Sequence, residues 1–191
     1  MPTTTATKAL LIGGRSGVGK STVALAIHDI LSAGDVAHAI IEGDNLDLAH
    51  PAPWGAYPEA LLAERNLAAM WTNYRDLGYG RLVYTNTAAV VTIPQLRQAL
   101  GEDAEIAAVL LQGSDEAVRG RLAQRERGAS FDAHLARSAA AAVRLEAHAP
   151  ESVMRIDTTG RTPEEVAVDI LRTVSWLPHT LSGSPVEDGS A

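Results

Sequence analysis

The segment Gly14-Arg15-Ser16-Gly17-Val18-Gly19-Lys20-Ser21 satisfies the pattern G-x-x-x-x-G-K-[ST]. It stands between a short apolar run at 8–13 and a stretch of helical periodicity at 20–31. A strand that turns through such a loop into a helix is built to wrap an anion. The glycines let successive backbone N–H groups point inward, and the start of the helix adds its positive end. Residues 14–22, Thr22 included, are therefore expected to hold the phosphates of a nucleotide, with Lys20 on the β and γ oxygens and Ser21 on Mg²⁺. A glycine-rich turn that binds nothing is the alternative, and the complete motif in its strand, loop and helix context argues against it.

Short runs rich in β-branched residues at 8–13, 36–42, 81–85, 106–112 and 153–156 alternate with helical patterns at 20–31, 58–77, 94–100, 115–126, 131–148 and 163–174. That alternation predicts an α/β protein with a parallel sheet. Thr162 before Pro163-Glu164-Glu165 reads as an N-cap, a proline in the first turn and acids at the positive helix end, and Ser114-Asp115-Glu116 reads likewise. A chain of 191 residues with 46% apolar content has the material for one core. One domain is expected over 1–178, with 179–191 a tail of disordered composition. The net charge of −7, with no Lys/Arg run, argues against a nucleic-acid-coating surface or an anionic-membrane anchor. No apolar run is long enough for a signal-peptide core or a membrane span. The absence of cysteine excludes disulfides and thiolate metal sites and suits a reducing compartment, so the cytoplasm is the expected location. The sequence leaves the oligomeric state open.

Many ATPases that use this loop carry an acid at the end of a neighbouring strand, where it holds Mg²⁺ and orients a water. Here the third strand ends in Thr85-Asn86-Thr87 and the fourth in Gln112-Gly113-Ser114, without a carboxylate. The second ends in Glu42 and Asp44, with Asp47 further on. Residues two apart in an extended segment share a face, so one of the pair can point over the phosphate loop where a substrate hydroxyl would arrive. An equally local reading is that Asp44 caps a short helix.

On the phosphate loop and the segment Glu42-Gly43-Asp44-Asn45, the chain resembles the P-loop small-molecule kinases: adenylylsulfate, gluconate and shikimate kinases and chloramphenicol phosphotransferase. The last segment is similar to the Asp-Gly-Asp-Asn of adenylylsulfate kinases, with Glu42 in place of the first Asp. The resemblance implies a three-layer α/β/α fold with a five-stranded parallel sheet in the order 2-3-1-4-5 and a small helical lid. It also implies ATP and Mg²⁺ as cofactors and a small-molecule acceptor. In this reading Asp44 is the base or hydroxyl-orienting group and shares the metal with Ser21. The arginine-dense stretch Arg119, Arg121, Arg125 and Arg127 is similar to the start of the lid in these kinases, with Arg137 at its far end. Arg121 would then cover the nucleotide, and Arg125 and Arg137 would neutralise the transferring phosphoryl group. A solvated helix face with acidic partners is the plainer reading of each arginine taken singly.

The resemblance places Thr159, in the loop after the last strand, beneath the adenine. The connection 50–58, with Trp54 and Tyr57, starts on the same side of the sheet as the phosphate loop. Asn45, Trp54, Tyr57 and, on the helix after them, Arg65 are the expected acceptor contacts. Trp71 and Tyr74 fall in helical register with Leu67 and fit core packing as well as a site. The histidines show no ligand spacing and read as surface or packing residues. Two further activities stay open: a nucleotide-binding regulatory module or slow ATPase, and a nucleoside monophosphate kinase.

Overall fold

The computed structural model describes residues 6–124 and 129–178, apart from the side chains of 129 and 130. Strands β1 (Lys8–Gly13), β2 (Ala39–Glu42), β3 (Arg81–Thr85), β4 (Glu105–Gln112) and β5 (Met154–Asp157) form one sheet in the order β2-β3-β1-β4-β5. Every pairing is parallel. The helices are α1 (Lys20–Ala33), α2 (Pro53–Ala56), α3 (Leu62–Asp76), α4 (Ile93–Leu100), α5 (Asp115–Ala123), α6 (Ala129–His148) and α7 (Pro163–Thr173).

Alternation along β1 shows how the three layers form. Leu10 and Ile12 pack with Ile27 and Leu31 of α1 and Ile170 and Leu171 of α7. Ala9 and Leu11 point the other way, toward Leu67 and Trp71 of α3 and Leu96 and Leu100 of α4. Leu110, Val153 and Val90 receive Leu145 of α6. Both faces of the sheet are thus covered, which is why its central strands read as continuous apolar runs rather than alternating ones. Trp71 belongs to this core at 2% exposure, its indole N–H donating to Thr7 Oγ1 at 3.2 Å.

The sequence-based boundaries hold at most elements and fail at two for local reasons. The strand expected at 36–42 begins only at Ala39, because Val36 closes the end of α1 by donating its N–H to Leu31 O at 2.9 Å. The helix expected at 58–77 breaks at Leu61, whose φ of 45° separates a 3₁₀ turn (Pro58–Ala60) from α3. The caps behave as expected. Ser114 Oγ accepts the Ala117 N–H, and Thr162 with Glu165 forms a capping box around Pro163. The expected lid, with Arg125 and Arg127, falls at 125–128, outside the described residues.

With all strands parallel and β1 between β3 and β4, the phosphate loop, the exits of β2 and β3 and the β4–α5 and β5–α7 connections share one edge. Ligands bind at that edge in open α/β sheets.

Candidate functional site: a phosphate loop facing Asp44

Gly14, Gly17 and Gly19 adopt φ of 145°, 80° and 108°, the left-handed region that other residues avoid. At Gly17 the constraint is also spatial, since a Cβ would sit 2.7 Å from Leu122 Cγ, so the loop packs directly on α5. Lys20 is 8% exposed. A cation that buried needs partners, and its Nζ donates to Gly14 O at 3.0 Å and to Thr87 Oγ1 at 3.3 Å while standing 3.5 Å from Asp44 Oδ2.

Asp44 lies in the 3₁₀ turn Gly43–Asn45 that follows β2. Its carboxylate is held from the exit of β3, where the Thr87 N–H donates to Oδ1 at 2.9 Å and Thr87 Oγ1 lies 3.4 Å from Oδ2. Thr87 is placed in turn by the loop itself, its carbonyl accepting the Gly14 N–H at 3.3 Å. The acid therefore reaches from β2 across the end of β3 to the loop lysine. The partners of this carboxylate are Thr87 and Lys20, so it faces the loop.

At the other end of the loop, Arg121 Nη1 donates to Val18 O at 2.9 Å and to Thr158 Oγ1 at 3.0 Å, and Nη2 donates to Thr158 O at 2.9 Å. The buried Thr158 hydroxyl stands 3.1 Å from Val18 O and 3.0 Å from Gln112 O. These bonds tie the phosphate loop to the β5–α7 loop. Between them opens a cleft of about 380 Å³, lined by residues 16–23, Asp44, Arg121, Thr158, Arg161 and Val166 among others. That volume is within the range of small-molecule sites.

Of the residues expected from sequence, Ser16, Gly17, Val18, Gly19, Lys20, Ser21, Thr22, Asp44 and Arg121 line this cleft, and Gly14 holds Lys20 through its carbonyl. Three others stand outside the lining. The Arg15 side chain turns away to Asp115 at 2.6 Å and lines a separate cavity between β4 and α6. Thr159 stands outside the cleft, its hydroxyl accepting the Ser114 N–H at 2.9 Å, and its neighbour Thr158 takes the lining position. Arg137 is exposed on α6 and outside the lining, whereas His134 and Ser138, one turn apart, meet the loop. His134 Nε2 lies 2.9 Å from Ser16 Oγ, and Ser138 Oγ donates to Ser16 O at 2.8 Å. Asn45, Trp54, Tyr57 and Arg65 are all exposed and are not part of the lining. Arg125 lies outside the described residues.

Thr87, Thr158 and His134 were missed from sequence. A threonine carries no motif signal, and the contact of His134 with Ser16 spans 118 positions. Beside the cleft, the Asp157 carboxyl sits below its ordinary value, chiefly because it accepts the Thr159 N–H at 2.9 Å. Among the described residues there is no group of three or more His, Asp or Glu that could hold a metal ion. Ser21 and Asp44 suit Mg²⁺ delivered on phosphates, which keeps most of its ligands as phosphate oxygens and water. No helix of the described residues is long and apolar enough to cross a membrane.

Fold and cleft together define a P-loop α/β protein of nucleotide-kinase-like architecture. No family model matches the chain, and no curated protein matches it in sequence. Among solved structures it is similar to a gluconokinase from Sinorhizobium meliloti 1021, at TM-score 0.56 and 18% identity over 93% of this chain and 97% of that one. It is similar to the tunicamycin resistance protein of Deinococcus radiodurans, at TM-score 0.60 and 19% identity over 88% and 95%. The Mycobacterium tuberculosis APS kinase, solved with AMPPNP and APS, matches at TM-score 0.56 and 17% identity over 90% and 99%. Likeness at this level establishes the shared fold.

Proposed function

We propose that this chain is an ATP-dependent kinase that transfers the γ-phosphoryl group of Mg-ATP to a hydroxyl of a small molecule. The observation that carries the reading is the position of Asp44, with its carboxylate 3.5 Å from Lys20 Nζ and held by Thr87 at the mouth of the phosphate loop. An acid there meets a hydroxyl arriving in line with the γ-phosphorus. The residues at the end of β3, Thr85-Asn86-Thr87, offer no carboxylate to activate a water. The kinases among the structural neighbours support the same class of chemistry.

In this reading the backbone of residues 14–21 and Lys20 bind the β and γ phosphates. Ser21, with Asp44 nearby, would hold the Mg²⁺ that accompanies the phosphates, and that ion would supply charge neutralisation on the transferring group. Asp44 orients the acceptor O–H and takes its proton as the new O–P bond forms and the bond from the γ-phosphorus to the β–γ bridging oxygen breaks, releasing ADP. Arg121 and Thr158 hold the loop against the β5–α7 connection so that the phosphates are presented at a fixed distance.

The test is ADP release from Mg-ATP with a pooled library of hydroxyl compounds. Lys20→Ala should abolish it. Asp44→Asn should keep nucleotide affinity within about threefold and lose on the order of 10²-fold or more in turnover. Wild-type turnover in Asp44→Asn would reduce the residue to a structural role. Nucleotide-dependent capture of a protein partner without any phosphorylated small molecule would favour a regulatory module.

A further inference from the structure

A second cavity, of about 530 Å³, lies between the end of β4 and α6. Leu110 and Leu111 from the strand and Ala142, Val143 and Leu145 from the helix give it an apolar wall. Val143 is exposed, whereas Arg15, which also lines the cavity, is 5% exposed. The cavity therefore runs from solvent at Val143 to Arg15 at its inner end. A volume of that size falls within the range of small-molecule sites. Arg15 follows Gly14 in the phosphate loop, yet it is not part of the nucleotide cleft.

The guanidinium of Arg15 is only partly satisfied. Its Nη1 donates to Asp115 Oδ1 at 2.6 Å, and the Asp115 side chain is largely exposed. Nε and Nη2 are buried and have no hydrogen-bond partner. These two nitrogens share one edge of the guanidinium, where their N–H groups run parallel and match the two oxygens of a carboxylate. Burying a charged group is costly unless it is paired, and buried donors in folded proteins find acceptors. The cavity's own acid does not serve. Among the described lining residues Glu146 is the one carboxylate, and its oxygens accept from Gln112 Nε2 at 2.7 Å and from Arg155 Nε at 2.9 Å.

We propose that this cavity is a binding site for a small amphipathic carboxylate, separate from the nucleotide cleft. The carboxylate takes the Nε–H and Nη2–H edge of Arg15, and the apolar body lies along Leu110 of β4 and Val143 of α6. Two charge-assisted hydrogen bonds fix the head group, and burial of the hydrocarbon supplies the remaining affinity. An alcohol of the same length forgoes the ion pair, and an ammonium meets a like charge. The site does not depend on the kinase reading.

The test is calorimetric titration of the full chain with octanoate, octan-1-ol and octylammonium, each with and without saturating Mg-AMPPNP. Octanoate should bind at a single site, at least about tenfold more tightly than the alcohol or the amine, whether or not the nucleotide analogue is present. Arg15→Lys keeps the charge but not the fork and should weaken octanoate about tenfold. Ala142→Phe fills the cavity from α6 with Arg15 intact, and should abolish octanoate binding while leaving AMPPNP affinity unchanged. Equal affinity for octanoate and octan-1-ol overturns the carboxylate assignment. Displacement of octanoate by Mg-AMPPNP puts the probe in the nucleotide cleft and overturns the separate site. Undiminished octanoate binding in Ala142→Phe, or no binding to the unaltered chain, overturns the proposal.

Discussion

Replacing Arg121 with alanine separates two roles that the lid reading and the structure assign to the same side chain. A lid arginine acts only on the bound nucleotide, whereas the Arg121 seen here joins Val18 of the phosphate loop to Thr158 through three hydrogen bonds. Its loss leaves Val18 O with the Thr158 hydroxyl at 3.1 Å but strips Thr158 O of its guanidinium donor. Hydrogen bonds to a charged group contribute about 1.5–3 kcal/mol each, and three that share one guanidinium do not add in full. The expected cost is therefore about 2–4 kcal/mol, a substantial part of the roughly 5–15 kcal/mol that holds a domain folded. For a chain of this size that corresponds to a fall of roughly 5–15 °C in Tm. Urea unfolding of the nucleotide-free protein is the assay, with Arg121→Lys as the comparison that restores charge but not the forked geometry. A midpoint unchanged to within about 0.5 kcal/mol, together with lost ATP affinity, would refute the structural role and return Arg121 to the nucleotide alone.

Gly43→Ala should force the Tyr84 phenol or the 3₁₀ turn to move, costing about 1–3 kcal/mol. It should also lower turnover more than nucleotide affinity, because Asp44 is the next residue; full activity in this variant would show that the turn has room to adjust. His38 makes stability depend on pH. Burial, reinforced by His28 and Arg81 and opposed by the Val36 carbonyl, holds its imidazole below the ordinary 6.5. Its folded pKa is thus below the unfolded one, so its contribution is complete above pH 6.5 and is lost as pH falls through the folded pKa, while the unfolded chain takes up the proton. The urea midpoint should drop between pH 7.5 and pH 5.5, and His38→Gln should lessen the drop; an equal drop in the variant would assign it to other groups.

The phosphate loop was legible because its chemistry is contiguous. The glycines, the lysine and the hydroxyl must follow one another for a backbone to close around phosphate, and the same chain order sets the strand before them and the helix after. The helix caps at Ser114 and Thr162 were legible for the same reason, being local hydrogen bonds within four residues. Asp44 could be singled out only as one of several acids at a strand end. The contact with Lys20 that favours it comes from two crossovers of the chain and from Thr87, whose sequence neighbourhood gives no sign of a role.

Long-range partners account for the side chains that stand outside the cleft. Arg15 belongs to the loop in sequence, but Asp115 draws its side chain away from the cleft across 100 positions. On α6, Arg137 and His134 are three residues apart, and the rotation of the helix against the loop decides that His134 meets Ser16 while Arg137 faces solvent. The alternation of strands and helices by itself determined a parallel sheet, and the motif determined the glycine-bent loop between β1 and α1, because both are short-range consequences of periodicity and backbone geometry. Which carboxylate faces the lysine and which arginine braces the loop were decided only by packing. Those contacts depend on how distant segments are brought together across the sheet, and no local pattern records that.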